Sequence, residues 1–384
     1  MSDTSYSVRV VDAAAEVPAS VWNGLALGID GRPDNPFLEH AFFVALEDSG
    51  SATKRTGWQP RHLLMTDADG RAAGLMPLYE KAHSQGEYVF DHGWAEAFEQ
   101  AGGRYYPKLQ CSVPFTPVTA PKFLVREPGL KAPLLRAAAQ LAADRDISSV
   151  HATFVPEVDA EIAGGAGWLR RTDTQYHWHN HGFASFEAYL ETMSSRHRKV
   201  TKRERRDALD GLTVRWLTGS ELTEAAWDAF FEFYQDTGNR KWGRPYLNRR
   251  FFSMLGAAMA DRVVLMFAYE GGTPIAGTLN MLGHDTLYGR YWGATREVPF
   301  LHFELCYYQA IDFAIERGLK TVEAGAQGEH KLARGYEPTT MHSVHWIGHP
   351  GLKRAIEDYL KRERAAVQRE QVSMGKMTPF KRGD

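Results

Sequence analysis

An internal duplication is the feature of this chain that most constrains its fold. The segment 35–46 matches the segment 244–255, with a proline, two leucines and two phenylalanines recurring at the same spacing. Three further matches follow the same chain order: 8–22 with 214–227, 63–79 with 265–281, and 134–154 with 305–325. The first copy also carries an extra loop near 102–128 that is rich in proline and aromatic residues. Four matches in one order predict two related domains; the alternative is a chance likeness between two ordinary α+β stretches.

Each copy is predicted to fold as a strand, helices, an antiparallel strand pair, a strand, a helix and a final strand. The strand pairs are apolar runs on either side of a glycine-containing turn, and the later helices show apolar periodicity. This order indicates an α+β, or mixed α/β, fold class. We expect a first domain over 1–170, a second over 171–350 with a basic helical insertion at 186–210, and a C-terminal helix and tail over 351–384.

Charge and cysteine content narrow the possible functions. Lys and Arg number 45 against 47 Asp and Glu, so the net charge of −2 excludes a uniformly basic surface but not a local basic patch. No apolar run reaches the roughly 18 residues of a membrane helix, and the N-terminus lacks the pattern of a secretory signal. Cys111 and Cys306 provide neither a disulfide framework nor a thiolate metal site. We therefore expect a cytoplasmic protein with no membrane span. We also predict no cofactor.

Long motifs in both halves resemble the FemAB-like group of predicted N-acyltransferases. They are FDHGWAEAFEQAGGRYYPKLQ at 90–110, VPFTPVTAP at 113–121, GNRKWGRPYL at 238–247, LYGRYWGA at 287–294, LHFELCYYQAIDFAIERGL at 301–319 and EAGAQGEHKLARGYEP at 323–338. The resemblance implies tandem GNAT (acyl-CoA N-acyltransferase-like) domains, in which the acyl donor lies where two central strands splay apart. It relates the chain more distantly to Fem peptidyltransferases, which move an amino acid from aminoacyl-tRNA onto an amine of a peptidoglycan precursor. The implied reaction is acyl transfer to the amine of a small molecule or peptide.

The identity of the acyl donor depends on a loop before the central helix. GNAT enzymes use glycine-rich backbone there to hold the pyrophosphate of coenzyme A. The first copy has REPGLKA at 126–132, in which Pro128 lacks an N–H group and Lys131 replaces a small residue. The second copy has TREVPF at 295–300, without glycine. Fem ligases commonly lack this loop, so the sequence favours aminoacyl-tRNA as the donor, with acyl-coenzyme A as the alternative.

A basic segment stands where Fem ligases carry a basic helical insertion. The residues 194–210 are predicted to form a helix capped by Ser194 or Ser195. Its seven bases are candidate nucleic-acid contacts: Arg196, Arg198, Lys199, Lys202, Arg203, Arg205 and Arg206. Helical spacing places four of them on one face, namely Arg196, Lys199, Arg203 and Arg206. A polyanion would offset their mutual repulsion, whereas the alternative is a solvated helix beside an acidic neighbour.

The turn after the last central strand of the second copy concentrates catalytic residue types. Acyl transfer requires removal of a proton from the amine, stabilisation of the oxyanion and alignment of the reactants. We predict that Glu329 or His330 accepts the proton and that Lys331 and Arg334 hold a phosphate or carboxylate. The site also includes Glu323 on the strand and Gln327 on the turn. The first copy lacks this run of residues, so the chemistry is predicted in the second; a helix start with ordinary polar residues is the alternative.

Further candidate substrate contacts lie elsewhere in the second copy. They are Arg240, Lys241, Trp242 and Arg244, then Arg290 and Tyr291, and finally His302 and Glu304. The first group joins cations with an aromatic plane, which suits a nucleotide or a carboxylate. The second group is on the predicted central strand and the third opens the central helix, where capping is the alternative for Glu304.

The first copy offers a separate candidate base. Asp91, next to His92, is either catalytic or part of a hydrogen-bonded structural pair. In Fem ligases an aspartate soon follows a turn that VPFTPVTAP resembles, but here Lys122 and an apolar pair follow. The alternating His177, His179 and His181 lack a nearby carboxylate or thiolate, so no metal site is predicted. A non-catalytic module that binds a peptidoglycan precursor or RNA is the second functional hypothesis.

Overall fold

The computed structural model describes residues 5–28, 31–241, 245–325 and 328–381, without the side chains of 237–241. Contacts divide the chain into two units, each built from two stretches of sequence. Unit 1 comprises Met1–Asp173 and Thr340–Arg369, and unit 2 comprises Thr174–Thr339 and Glu370–Asp384. The segment Thr340–Arg369 thus returns to unit 1, whereas the sequence pattern alone assigns it to the second domain and the tail.

The first half of the chain carries the strands β1 Ser7–Val11, β2 Trp58–Pro60, β3 His62–Thr66, β4 Ala72–Met76, β5 Tyr79–Lys81, β6 Lys108–Cys111, β7 Leu124–Val125, β8 Ser149–Val155 and β9 Leu169–His179. Its α-helices are α1 Ala19–Leu25, α2 His40–Asp48, α3 His92–Gln100, α4 Lys131–Asp144 and α5 Glu157–Gly165.

The second half carries the strands β10 Leu212–Leu217, β11 Val263–Glu270, β12 Thr273–Leu282, β13 Thr286–Ala294, β14 Thr321–Glu323 and β15 Glu337–Ile347. Its α-helices are α6 Phe186–Thr192, α7 Ser195–Ala208, α8 Glu224–Lys241, α9 Arg249–Met259, α10 Leu301–Phe303, α11 Gln309–Glu316 and α12 Pro350–Met374. A π-helical turn, Glu304–Tyr308, joins α10 to α11, and we call these three segments the central helix of unit 2.

Unit 1 contains two runs of paired strands. One has the order β1-β3-β4-β7, and the other has the order β15-β8-β6-β5-β2. β6 and β8 are parallel, and β15 joins β8 in the antiparallel sense. Helix α4 packs on them because Leu134, Ala138 and Ala142 recur at one-turn spacing and are fully buried in the core.

The described strands of unit 2 form one run in the order β10-β11-β12-β13-β14-β9. All neighbours are antiparallel except β13 and β14, which are parallel. The central helix buries Ile311 and Ala314 against Val264 and Val322 of the strands. This apolar contact fixes the helix next to the parallel pair.

The two copies place matching residues in matching elements. Trp22 of α1 packs on Phe43 of α2 at 4.8 Å between ring centroids, and Trp227 of α8 packs on Phe252 of α9 at 5.8 Å. All four rings are buried. The predicted strand pairs are confirmed as the antiparallel pairs β3–β4 and β11–β12. The residues that match between the two copies in sequence therefore occupy corresponding positions in the two cores.

The strand that follows the matched segments of each copy, however, pairs with a strand of the other unit. Val322 of β14 pairs with Trp178 of β9, so the end of the first copy completes unit 2. Val150 of β8 pairs with Trp346 of β15, so the end of the second copy completes unit 1. Within the described ranges of the chain, no helix is both long enough and apolar enough to cross a membrane.

Candidate functional site

The candidate site lies in unit 2, where β13 and β14 separate. These strands pair only from Thr286 with Thr321 to Tyr288 with Glu323, after which β14 ends and β13 continues. The register of β13 with β12 also shifts at Arg290, as in a β-bulge. The resulting gap is a cavity of about 110 Å³. It is lined by Thr278, Asn280, Gly289, Arg290, Tyr291, Trp292, His302, Cys306, Tyr307 and Ala324.

Arg290 and Glu323 form a buried ion pair at this cavity. Arg290 Nη2 lies 3.2 Å from Glu323 Oε2, and the two side chains are 2% and 9% exposed. Arg290 Nη1 also donates to the Gly289 carbonyl at 2.9 Å. His177 Nε2 lies 3.9 Å from Glu323, and burial lowers the pKa of His177. The ion pair therefore fixes the Arg290 guanidinium in the cavity wall, with Glu323 as its counterion.

The loop after β14 brings Lys331 next to the cavity. Gly325 and Gly328 adopt positive φ angles of 78° and 118°, which a residue with a side chain rarely reaches. The loop folds back so that Lys331 Nζ donates to the Gly325 carbonyl at 2.9 Å. Lys331 is 1% exposed, and burial lowers its pKa to about 7 against an opposing effect of Cys306. No carboxylate among the described residues pairs with this ammonium.

His330 reaches the same cavity through a tyrosine. Tyr307 lines the cavity, and its hydroxyl oxygen lies 2.8 Å from His330 Nε2. Tyr307 is buried, whereas His330 and Glu329 are exposed. Burial raises the pKa of Tyr307, so the phenol stays protonated at neutral pH. The exposed imidazole of His330 is thus hydrogen-bonded to the hydroxyl of Tyr307, a buried residue that lines the cavity.

Arg334 and Glu304 are engaged in interactions of the fold. Arg334 Nη2 pairs with Glu204 of α7 at 2.9 Å, and its Nη1 donates to the His330 carbonyl at 2.8 Å. Glu304 is fully buried and accepts from Arg205 of α7 at 2.9 Å and from Gln309 at 2.7 Å. These two predicted substrate contacts therefore anchor α7 and the loop, whereas His302, Arg290 and Tyr291 line the cavity.

Helix α7 confirms the predicted basic helix, with Ser194 at its N-cap position. The bases predicted to share one face are exposed together: Arg196, Lys199, Arg203 and Arg206. Lys202 is also exposed and pairs with Glu187, and Arg198 is half-buried. Arg205 differs from them, because it points inward to Glu304 and Asp312 at 2.9 and 2.7 Å. Six of the seven bases remain on the outer surface of the helix or at its margin.

Some predicted site residues lie outside the description. Trp242, Arg244 and Gln327 are outside the described residues. Arg240 and Lys241 belong to the last turn of α8, but their side chains also lie outside the described part of the structure.

Asp91 belongs to a buried ionic cluster in unit 1. Lys108 Nζ lies 2.5 Å from Asp91 Oδ2 and 2.7 Å from Glu87 Oε2, and the Tyr105 hydroxyl donates to Asp91 at 2.7 Å. Burial acts to raise the pKa of Asp91, but the Lys108 ammonium and His151 outweigh it, so the pKa is well below its usual range. Asp91 is thus a buried carboxylate with a permanent partner.

Tyr307 is a cavity residue that was not predicted from the sequence. His302 and Cys306 are four residues apart and would share a helical face, but Tyr307 would point elsewhere on a regular α-helix. The π-helical turn Glu304–Tyr308 adds a residue to the turn, and all three residues line the cavity. Such a turn has no dependable sequence signal, although its frequent occurrence at functional sites agrees with this position.

A model of the FemAB-like family, described as peptidoglycan biosynthesis/recognition, matches residues 13–382. Among solved structures, FemX is 14% identical with a TM-score of 0.50, over 80% of this chain and 92% of that chain. A conserved protein of unknown function from Bacteroides thetaiotaomicron VPI-5482 is 13% identical with a TM-score of 0.52, over 88% and 99%. A tandem GNAT protein from the clavulanic acid biosynthesis pathway is 13% identical with a TM-score of 0.47, over 90% and 99%. The predicted fold class of mixed helices and sheets is confirmed, and no curated protein matches the chain at a significant level.

Proposed function

Because the chain belongs to the FemAB-like family, we propose that unit 2 forms an amide bond by transferring an aminoacyl or acyl group to an amine. The observation that carries this proposal is the polar cavity between β13 and β14, with Arg290 in its wall and Lys331 beside it. A reaction that develops an oxyanion and releases a proton needs a fixed cation and a proton acceptor close together. Arg290 and Lys331 would supply the cation, and His330 would accept the proton.

We assign Lys331 to the stabilisation of the oxyanion. Its Nζ donates to the carbonyl of Gly325, which is the chain neighbour of the cavity-lining Ala324. With a pKa of about 7 and no carboxylate partner among the described residues, its ammonium is poorly compensated. Negative charge developing on the carbonyl oxygen of the donor would provide that compensation, so the interaction strengthens in the transition state.

Aminoacyl-tRNA is the donor that we propose. The exposed bases of α7 provide a row of cations for phosphates, and α7 is joined to the site because Glu204 holds Arg334 and Arg205 holds Glu304. Acyl-coenzyme A is the second candidate, since it is the donor that the fold class implies. The segment before the central helix favours it less, because Pro299 lacks an N–H group and no glycine stands there.

The proposed acceptor is an amine of a peptidoglycan precursor, in keeping with the description of the family. A peptide amine or a small-molecule amine would undergo the same chemistry. Both donors are cytoplasmic molecules, which agrees with the expected location of the protein.

The test compares the two donors in separate reactions of the full chain. Purified protein is incubated with a peptidoglycan-precursor peptide and either a mixture of charged tRNAs or acetyl-coenzyme A, and the amide product is detected by mass spectrometry. We expect product from charged tRNA, and none when the tRNA is deacylated first. Product from acetyl-coenzyme A alone would replace the proposed donor, and binding of the peptide without product from either donor would favour a non-catalytic module.

A further inference from the structure

The hydrogen bond between Tyr307 and His330 joins the interior of the cavity to its surface. Tyr307 is 3% exposed and contributes to the cavity wall, whereas His330 is exposed. Their side chains meet at 2.8 Å, between the phenol oxygen and Nε2. A proton accepted by the phenol oxygen can therefore leave for solvent without a water molecule entering the cavity.

Two titratable groups near the cavity, Glu323 and Lys331, are already engaged in interactions, and a third, Glu329, is not among the lining residues. The Glu323 carboxylate pairs with Arg290, and protonating it would leave the Arg290 guanidinium buried without its counterion. The Lys331 ammonium donates to the Gly325 carbonyl. Glu329 is exposed, and no contact of its carboxylate with the cavity wall is described. Tyr307 is thus the hydroxyl that combines a place in the cavity wall with a described bond to an exposed base.

Several neighbours fix His330 for this task. Arg334 Nη1 holds its carbonyl at 2.8 Å, and the Arg334 guanidinium stacks 3.5 Å from the centroid of the Phe303 ring. The imidazole lies 6.4 Å from the His302 ring and 5.7 Å from the Phe303 ring, between centroids. Among the described residues, the charged groups near it are Arg334 and the chain neighbours Glu329 and Lys331, and His302 and Tyr307 face it from the central helix. A held imidazole loses little freedom when the reaction proceeds.

We infer that Tyr307 and His330 form a proton relay for the acceptor amine, an inference that rests on the proposed acyl transfer in unit 2. The amine nitrogen attacks the carbonyl carbon of the donor, the new C–N bond forms, and the ester C–O bond breaks. The proton on the amine nitrogen passes to the Tyr307 oxygen while the Tyr307 proton passes to His330 Nε2. The imidazolium then releases a proton to solvent, and the departing oxygen takes one up. Tyr307 ends the cycle protonated, as its raised pKa requires.

The kinetic test removes each member of the relay and both together. We expect Tyr307→Phe and His330→Gln each to lower kcat about 10²-fold with KM little changed, the lower end of what general acid–base catalysis contributes. The double variant should be no slower than the slower single variant, because both act on one proton path. Tyr308→Phe is the matched control: it removes a buried hydroxyl from the same helical turn, but that hydroxyl donates to Glu204 rather than lining the cavity.

Two results would overturn the relay. One is a Tyr307→Phe variant with wild-type kcat; the other is a double variant slowed by the product of the two single effects. Thermal unfolding of each variant separates a folding defect from a catalytic one, since Tyr308→Phe should lose stability and keep its turnover.

A second measurement does not depend on activity. The relay requires the Tyr307 hydroxyl to donate to His330, so His330 must carry its proton on Nδ1 and present a bare Nε2. Nitrogen chemical shifts of the labelled histidine ring should show that tautomer at pH 8 in the wild type and a loss of the preference in Tyr307→Phe. A protonated Nε2 in the wild type would overturn the relay whatever the activity. If the wild type formed no amide with any donor, the proposed function would fall instead.

Discussion

The two units treat the end of their parallel strand pair in opposite ways. In unit 1 the chain after β6 returns to β8, where Ala120 N donates to the Phe154 carbonyl at 3.1 Å. The buried Lys122 ammonium then donates to the carbonyls of Val118, Ala120 and Phe154 at 3.0, 3.3 and 2.7 Å. In unit 2 the equivalent strands β13 and β14 separate around a cavity. In unit 1, Lys122 therefore fills the gap between the strands. In unit 2 the gap stays open as a cavity, and Lys331 lies beside it.

The buried lysines of the two units also differ in their partners. In unit 1, Lys108 pairs with Glu87 and Asp91, and Lys81 lies 3.7 Å from Glu87. In unit 2, Lys331 bonds to one carbonyl and has no ion-pair partner within the described ranges of the chain. Lys108 has carboxylate partners and Lys122 has three carbonyl acceptors, so the fold satisfies both ammonium groups. The Lys331 ammonium has one described carbonyl acceptor. A buried charge that is poorly compensated costs stability and is typical of a functional site. This contrast leads us to place the chemistry in unit 2.

The strongest test of the contrast replaces one lysine in each unit. Lys331→Met should lower turnover by about 10²–10³-fold, because it removes a cation that faces the developing oxyanion. Lys122→Met should leave turnover per folded molecule intact and cost about 1–3 kcal/mol of unfolding free energy, since it leaves buried carbonyls without a donor. Steady-state rates and denaturant unfolding of both variants provide the comparison. Turnover lost in Lys122→Met and kept in Lys331→Met would reverse the assignment of the two units.

Breaking the ionic cluster of unit 1 should affect stability alone. Lys108→Met leaves Glu87 and Asp91 buried without their main partner, so we expect a loss of about 3–5 kcal/mol in unfolding free energy. Turnover per folded molecule should persist, as measured at a temperature where the variant remains folded. A large loss of turnover in folded Lys108→Met would indicate that Asp91 has a catalytic role.

The pH dependence of stability should expose the cost of Lys331. Its pKa of about 7 lies below the usual value of 10.5, so the unfolded chain binds more protons between these limits. The unfolding free energy should therefore rise with pH from 7 to 10.5 on account of this group, with the full penalty present below pH 7. Lys331→Met should be more stable than the wild type at pH 6, by about 2–4 kcal/mol, and the advantage should shrink by pH 10. An advantage that is equal at both pH values would mean that burial does not lower the pKa of Lys331.

The smallest expected effect concerns the basic face of unit 2. Replacing Arg196, Lys199 and Arg203 with Ala should weaken tRNA binding and flatten the log–log salt slope by about 2–3 units. Arg205 is unsuitable for this test, because its guanidinium holds Glu304 and its loss would disturb the central helix. The control replaces three exposed bases of α12 in unit 1, Arg354, Lys361 and Arg362. Equal changes in both triple variants would indicate only general attraction to the whole surface.

The local pattern of the sequence predicted much of this fold. Hydrophobic spacing and glycine turns located both strand pairs and the core tryptophans Trp22 and Trp227, because residues that share a face recur with the period of their element. The same reasoning located the exposed face of α7, since helical spacing alone places Arg196 and Lys199 on one side. Arg290 and His302 were also identified as candidates, and both line the cavity.

Pairings between distant residues required the tertiary structure. Nothing local separates Arg205 from Arg203, yet the first holds Glu304 while the second faces solvent. Nothing local announces that β9 completes unit 2 and β15 completes unit 1, or that a π-helical turn places Tyr307 in the cavity. The sequence by itself determined which elements form and which of their faces are buried, since these depend on neighbours a few residues apart. Only the tertiary structure decided which buried charges meet a partner, because that depends on segments about a hundred residues apart coming into contact.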